Sequence, residues 1–449
     1  MGHIRGISYY NLPQTLQDAI KAARSLGLNY LWVDALCIIQ DSEQDKEKEM
    51  AKMQQIFQNA YITILAACAS SSAEGFLRLR DGRAPVLRVP VRCESGRIGN
   101  LLLLPIGEGI KREPIHERAW TLQEVFLSPR LVVFGNDCVG WKCAKGDRGL
   151  YGWKDWNGYC ASSGLMTVRL APDGRIIRPT LSVYSADIAS FRSSHLAERL
   201  PEIFQIWEVV VKDYSTRSMT NQEDKLPALS GIVRYFQTAM NDAYLAGLWR
   251  KHLLHELSWI VLNGRHPDIQ RAPSWSWMAL DGAITFQADR CQWYEPVAKI
   301  VSCEVTPIMA DAPYSRVSGG TLVLNGMLRL VRENVSFANR SLFLRSDFRR
   351  SDFRGVVLDT DEDQDGDVEV GVQTHKLPQY WFFAFARCFT ANDSDGEAIS
   401  ESLWGFLLKK ACSRHIFPPG QCIFERVGWF NAEDHIDKLG WEENTITIV

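Results

Sequence analysis

The chain has 449 residues, 46% of them hydrophobic and 23% charged, with a formal net charge of −3. That length exceeds what one hydrophobic core organises, and the balance is that of a globular protein rather than a disordered one. Lys and Arg are spread along a near-neutral chain, no signal-peptide-like run opens it and no 18-residue apolar segment follows, so nucleic-acid and membrane partners are excluded and a cytoplasmic protein is expected.

In chain order, residues 15–26 place Leu16, Ala19, Ile20, Ala23 and Leu26 on one helical face, with Gly27 where a C-cap glycine belongs. "NYLWV" (29–33) then reads as a buried strand that ends at Asp34, and "DSEQDKEKEMAKMQQIFQNA" (41–60) as a helix with Met50, Met53, Ile56 and Phe57 inward. "YITILAA" is the next strand. This helix–strand rhythm predicts a parallel sheet with crossover helices, in which ligands gather at the C-terminal strand ends. Residues 84–105 look like an inserted hairpin, and "ERAWTLQEVFLSPRLVVFG" returns to helix then strand.

The α/β region is thus expected over 1–145, followed by an irregular linker or excursion over 146–200 and a mostly helical region over 201–282. A β-rich C-terminal lobe fills 283–449, with "GGTLVLNGMLRLV", "YWFFAFARCF" and "NTITIV" as strands.

Eleven cysteines without a C-x-x-C pair predict that most are buried, reduced thiols, Cys37 between Leu36 and Ile38 among them. Cys138 and Cys143 are a poor zinc pair, and the sequons at Asn334, Asn339 and Asn392 carry no meaning without secretion. Asp361, Asp363, Asp365 and Gly366 open like a calcium loop, but Val372 stands at its twelfth position, so a solvated acidic hairpin tip is expected. The "RSDFRRSDFRG" duplication is too short for a solenoid, and His252 and His255 read as ordinary helix histidines. No metal site and no cofactor is predicted.

Neither a phosphate loop nor a G-x-S-x-G elbow occurs, so carboxylates near apolar strand ends remain as candidates: Asp34, Asp41, Glu49 and Glu124. Trp120 and Glu124 lie one helical turn apart, an indole beside a carboxylate that can hold a ribose or a cationic ring. The same pair also fits a core Trp120 with Glu124 in an ion pair to Arg118 or Arg130.

The ordered set "YLWVDALCIIQD", Glu49 to Met53, "NAYITILAACASSS" and "RAWTLQEVFLSPRLVVF" resembles the fungal heterokaryon incompatibility (HET) domain over roughly residues 7–145. "DYSTRSMTNQEDKLPALSGI", "YLAGLW", "RAPSWSWMALDG" and "ERVGWF" resemble the region that follows it in large fungal HET proteins. The resemblance implies non-self recognition with programmed cell death, akin to innate immunity, and a distant likeness to Toll/interleukin-1 receptor (TIR) domains, hence a TIR-like parallel sheet. It also implies protein partners or self-association.

Enzymatic TIR domains carry a Trp-x-x-x-Glu helix whose glutamate assists cleavage of NAD; here that pattern falls on Trp120 and Glu124, with Asp34 bordering the pocket and NAD a substrate. The chain departs from the family at its start, where only "GISYYNLP" stands in place of a first strand reading Ser-Tyr-x-Trp-Gly. A truncated gene model, a shortened isoform and a non-enzymatic scaffold all remain open.

Overall fold

The computed structural model describes residues 6–78, 87–92, 98–103, 113–136, 139–143, 146–149, 169–170, 176–177, 196–288, 293–331, 335–338, 341–344, 353–359, 379–391, 399–411, 423–432 and 440–449. The calcium-loop-like run, the three sequon asparagines, Cys138 and most of the 146–200 stretch lie outside them. The chain divides into two compact units, Met1–Arg199 and Leu200–Val449.

In the first unit, α1 (Gln14–Ser25) buries Asp18, Ala22 and Ala23. It closes as expected, with Gly27 at φ +74° and the Leu28 N–H donating to the Ala23 carbonyl at 2.9 Å. The expected strand at 29–33 does not form. A strand persists only where neighbours take its N–H and C=O groups, and among the described residues none pairs with this segment. It runs instead into the one-turn helix α2 (Asp34–Cys37). Tyr30 is 94% and Ile39 57% exposed, and Cys37, expected as a buried thiol, is exposed.

Helix α3 (Glu43–Asn59) starts where the Ser42 hydroxyl accepts the Asp45 N–H at 3.3 Å. Among its described side chains Met53 and Phe57 are buried, and the Phe57 ring meets Trp32 edge-on at 5.7 Å. Then come β1 (Thr63–Leu65), the expected hairpin β2 (Leu87–Arg92) and β3 (Ile98–Leu103), α4 (Ala119–Leu127), β4 (Arg130–Phe134), β5 (Val139–Cys143) and β6 (Gly146–Gly149), with a short pair β7 (Arg169–Leu170) and β8 (Ile176–Ile177) beyond.

The sheet order is β1-β4-β5-β6. Only β1 and β4 are parallel; β5 and β6 follow antiparallel, so a small mixed sheet replaces the expected parallel one. Short connections such as the one between β4 and β5 permit nothing but antiparallel pairing. Leu65, Ala67, Leu131 and Val133 form the core on this sheet.

Helix α5 (Leu196–Ser215) begins at the end of the first unit and continues into the second, which goes on with α6 (Ser230–Met240), the two-residue strands β9 (Tyr244–Leu245) and β10 (Leu248–Trp249), the short α7 (Leu253–Glu256), and an antiparallel pair of β11 (Trp259–Arg265) with β12 (Asp281–Phe286). Strands therefore share the 201–282 stretch with helices. Trp207, Trp249, Trp259, Trp275 and Trp277 are all fully buried here. Gly247, at φ +110°, is required in the β9–β10 turn: a Cβ there would sit 2.8 Å from the Trp277 indole nitrogen, which donates to the Gly247 carbonyl at 2.8 Å.

The rest is β: β13 (Trp293–Pro296), β14 (Lys299–Pro307), β15 (Val317–Leu330), β16 (Val335–Ala338), β17 (Ser341–Leu344), β18 (Phe353–Leu358), β19 (Tyr380–Ala391), β20 (Ile399–Lys410), β21 (Ile423–Ala432) and β22 (Glu442–Ile448). β15 pairs with β19, β19 with β20, β20 with β21, β21 with β22 and β22 with β15, so these five close into a ring. Closure leaves no open edge among them. In β19 the neighbours Phe382 and Phe383 are both buried, so both faces of the strand are covered. Cys388 on this strand is disulfide-bonded, whereas Cys37, Cys68, Cys143 and Cys303 are free thiols.

Candidate functional site

In an α/β unit the chain turns that leave the C-terminal ends of parallel strands are where ligands collect. Here β1 and β4 end at Leu65 and Phe134, and the Cys68 N–H donates to the Phe134 carbonyl at 3.0 Å just beyond them. Helix α4 precedes β4 directly, so it runs back along the strand and its N-terminus returns to this same end. Glu113 ties the two: its carboxylate, buried, accepts the Asn136 backbone N–H at 2.8 Å and the Asn136 side-chain amide at 2.7 Å.

A polar chain continues from there. The Asn136 amide oxygen accepts from Arg78 at 2.8 Å, Arg78 pairs with Glu74 at 3.1 Å, and Glu74 accepts the Ser70 N–H at 2.7 Å and its hydroxyl at 2.8 Å. The Ser70 hydrogen bonds, then the Arg78 guanidinium, hold the Glu74 carboxyl below its usual range despite some desolvation.

Asp18 pins the same loop from α1, accepting the Phe76 N–H at 2.9 Å and the Leu77 N–H at 3.0 Å. Burial pushes its pKa up, but those two hydrogen bonds, one from Gln14 and the Lys21 charge outweigh burial and leave it lowered. Gly75 adopts φ +75° there, and a Cβ would stand 2.7 Å from the Asp18 carboxylate.

On α4, Trp120 and Glu124 are both half-buried and one turn apart on one face. The helix is fixed at both ends. At the start the Thr121 hydroxyl donates to the Ile115 and Arg118 carbonyls, and at the finish the Ser128 hydroxyl bonds the Glu124 carbonyl at 2.6 Å and Thr63 of β1 at 2.7 Å. Arg130, one of the two cations weighed as a partner for Glu124, turns elsewhere: its Nε donates to the Tyr61 carbonyl at 2.7 Å and its guanidinium lies 4.9 Å from the Tyr61 ring.

Asp34 is exposed, and its carboxylate accepts the N–H of the next residue, Ala35, at 2.7 Å. Its hydrogen bonds all stay within residues 34–40 and reach neither Trp120 nor Glu124. Asp41 is exposed, and Glu49 pairs with Lys52 at 2.8 Å. Sequence reading missed Glu113, Asn136, Arg78 and Asp18. Only Asp18 left a trace, as an acid within the helix 15–26, because the others meet through tertiary contacts between distant segments.

Among the described residues no group of three or more His, Cys, Asp or Glu side chains is arranged to hold a metal ion. No helix among them is long and apolar enough to cross a membrane.

The first unit is a small α/β domain whose polar residues Glu113, Asn136, Arg78 and Glu74 gather just beyond the ends of its two parallel strands. Residues 3–124 match the family model described as heterokaryon incompatibility protein (HET). The chain thus carries a HET domain in its first unit, which connects it with heterokaryon incompatibility. The match ends at Glu124, and all of Leu200–Val449 lies beyond it. No curated protein and no solved structure matches the chain.

Proposed function

We propose that the chain acts in fungal non-self recognition from the cytoplasm, its HET domain triggering cell death by TIR-like cleavage of NAD once self-association or a protein partner engages it. The second unit then serves as sensor or brake. The observation that carries this reading is the half-buried Trp120–Glu124 pair on one face of α4, a helix whose N-terminal end is tied by Glu113 to the chain beyond β4. Breaking the nicotinamide–ribose bond leaves an oxocarbenium-like sugar, which a carboxylate beside an aromatic ring stabilises. Water then adds to the sugar carbon and its proton passes to Glu124, leaving ADP-ribose and nicotinamide.

Purified full chain, driven to associate, is expected to release nicotinamide from NAD by chromatography, and Glu124→Gln to lower the rate by about 100-fold or more. No release by the wild type, or equal release by the variant, would overturn the enzymatic reading.

A second reading, a non-enzymatic interaction scaffold, is supported by the apolar side chains that the first unit exposes: Tyr30 at 94%, Ile39 at 57%, Leu36 at 39% and Leu31 at 37%. Under it, Glu124→Ala keeps cell-death signalling in the fungus intact, whereas the enzymatic reading requires its loss.

A further inference from the structure

The second unit contains a cleft of about 320 Å³ between the end of α6, the β9–β10 hairpin, the end of β14 and the 313–317 loop. That volume is at the lower end of small-molecule sites. Leu226, Val305, Val317 and the prolines 307 and 313 make apolar walls, and Gln237 and Ser315 add polar groups to the lining. Two tyrosines form a corner in it, Tyr244 and Tyr314, with ring centroids 6.1 Å apart and planes at 80°. Both rings are half-buried.

Asp242 also lines the cleft and is 8% exposed. Its two oxygens are held in place by backbone N–H groups, that of Ala243 at 2.8 Å and that of Lys251 at 3.0 Å. Within the described residues it has no ion pair. The Lys251 ammonium turns away to the Asn241 carbonyl at 2.7 Å and the Met240 carbonyl at 3.3 Å. Arg316, next to the 313–315 wall, is occupied by Glu223 at 2.8 Å and Asp224 at 3.7 Å.

The carboxylate is therefore oriented by two backbone N–H groups, largely withdrawn from water and without an ion-pair partner among the described residues, so a cation entering the cleft would meet a fixed, unneutralised charge. The backbone around it is strained too. Asn241 and Ala246 adopt left-handed φ values of +46° and +47°, and for alanine that geometry persists only where the surroundings enforce it.

We propose that this cleft binds a small organic monocation bearing N–H donors, a guanidinium or primary ammonium of the size of an arginine or lysine side chain. One N–H meets the Asp242 carboxylate and the cationic head lies against the faces of Tyr244 and Tyr314, where ring quadrupole and carboxylate act together. The aliphatic stem lies along Val305, Val317 and the prolines. The source of that cation is a free metabolite or a side chain presented by a partner protein, and both share this recognition chemistry.

The test is calorimetric titration of the full chain with Nα-acetyl-arginine amide and with its neutral isostere, Nα-acetyl-citrulline amide. The arginine compound is expected to bind at least about tenfold more tightly, with affinity falling as salt rises. Tyr314→Ala, in a partly exposed loop position, is expected to lower that affinity by about tenfold with an unchanged melting temperature. Asp242→Asn is expected to abolish the preference for arginine over citrulline. Equal binding of the two compounds, binding of neither, or full affinity in folded Tyr314→Ala would each overturn the proposal. Agmatine in the same titration separates the sources: if it matches the arginine amide, a free amine suffices, and if it binds far less tightly, a peptide backbone is part of what is recognised.

Discussion

Arg426 carries its charge in the core of the second unit with its side chain fully buried. Its Nε donates to Asp359 at 3.0 Å, its two Nη atoms donate to the Leu257 and Trp259 carbonyls at 3.2 and 2.6 Å, and the guanidinium stacks 3.4 Å from the Trp259 ring centroid. Burial lowers its pKa, and the Asp359 carboxylate opposes that. A buried pair of this kind contributes little net stability compared with two apolar residues, yet losing one member strands the other. Arg426→Met is expected to cost about 3–5 kcal/mol in urea unfolding, and the double variant Arg426→Met/Asp359→Leu to recover much of it. A double variant no more stable than the single would show that the carbonyl contacts and stacking, rather than the charge, hold this point.

At the scale of elements, α3 shows how local chemistry and packing divide the work. The Ser42 cap satisfies one orphan N–H at its start, and Asp45 in the first turn accepts the Ile39 N–H at 2.8 Å, which ties the α2 turn to the helix. Ser42→Ala is expected to cost about 1 kcal/mol, read as a lower denaturation midpoint of the first unit, with Ser42→Asp close to wild type. The segment 29–33 makes the opposite case. Its apolar composition is that of a strand, but no strand among the described residues pairs with it, so it stays irregular and exposes Tyr30. Strand β19, just as apolar, is paired on both edges and covered on both faces.

For the whole molecule, the pH dependence of stability gathers several buried groups of the second unit. Burial, then the nearby His255, brings the His252 pKa down to about 4, with Asp242 opposing, while its ring stacks 3.5 Å from Phe204. Because that folded value lies below the usual 6.5, the unfolded chain binds a proton that the fold refuses, and stability is lost as pH falls from 6.5 towards 4. Glu256 runs the other way: burial first, with the nearby Asp242, raises its pKa, so over the range above 4.5 the fold keeps a proton that the unfolded chain releases. Burial brings Lys225 down to about 8, against Asp281, so its contribution rises with pH between 8 and 10.5. Comparing His252→Phe with wild type isolates the first effect. The variant is expected to gain melting temperature relative to wild type at pH 5 and to keep no such gain at pH 7.5; equal differences at both would refute the assignment.

Periodicity alone placed helices at 15–26 and 41–60, which form as 14–25 and 43–59, together with the α4–β4 unit, a hairpin within 84–105 and three of the strands of the C-terminal lobe, because an apolar stripe of period 3.6 or a β-branched, aromatic run is a local property. It also placed Trp120 and Glu124 on one helix face, since i,i+4 neighbours need no tertiary information. What it did not determine is everything that depends on who stands beside whom. That includes the absence of a strand at 29–33, the mixed order of the first sheet, the closure of β15, β19, β20, β21 and β22 into a ring, and the Asp18 and Glu113 anchors. Segments as far apart as Asp18 and Phe76, or Asp359 and Arg426, meet only after the chain has folded. Pairing and burial belong to the assembled structure, and one strand's composition does not name its neighbour.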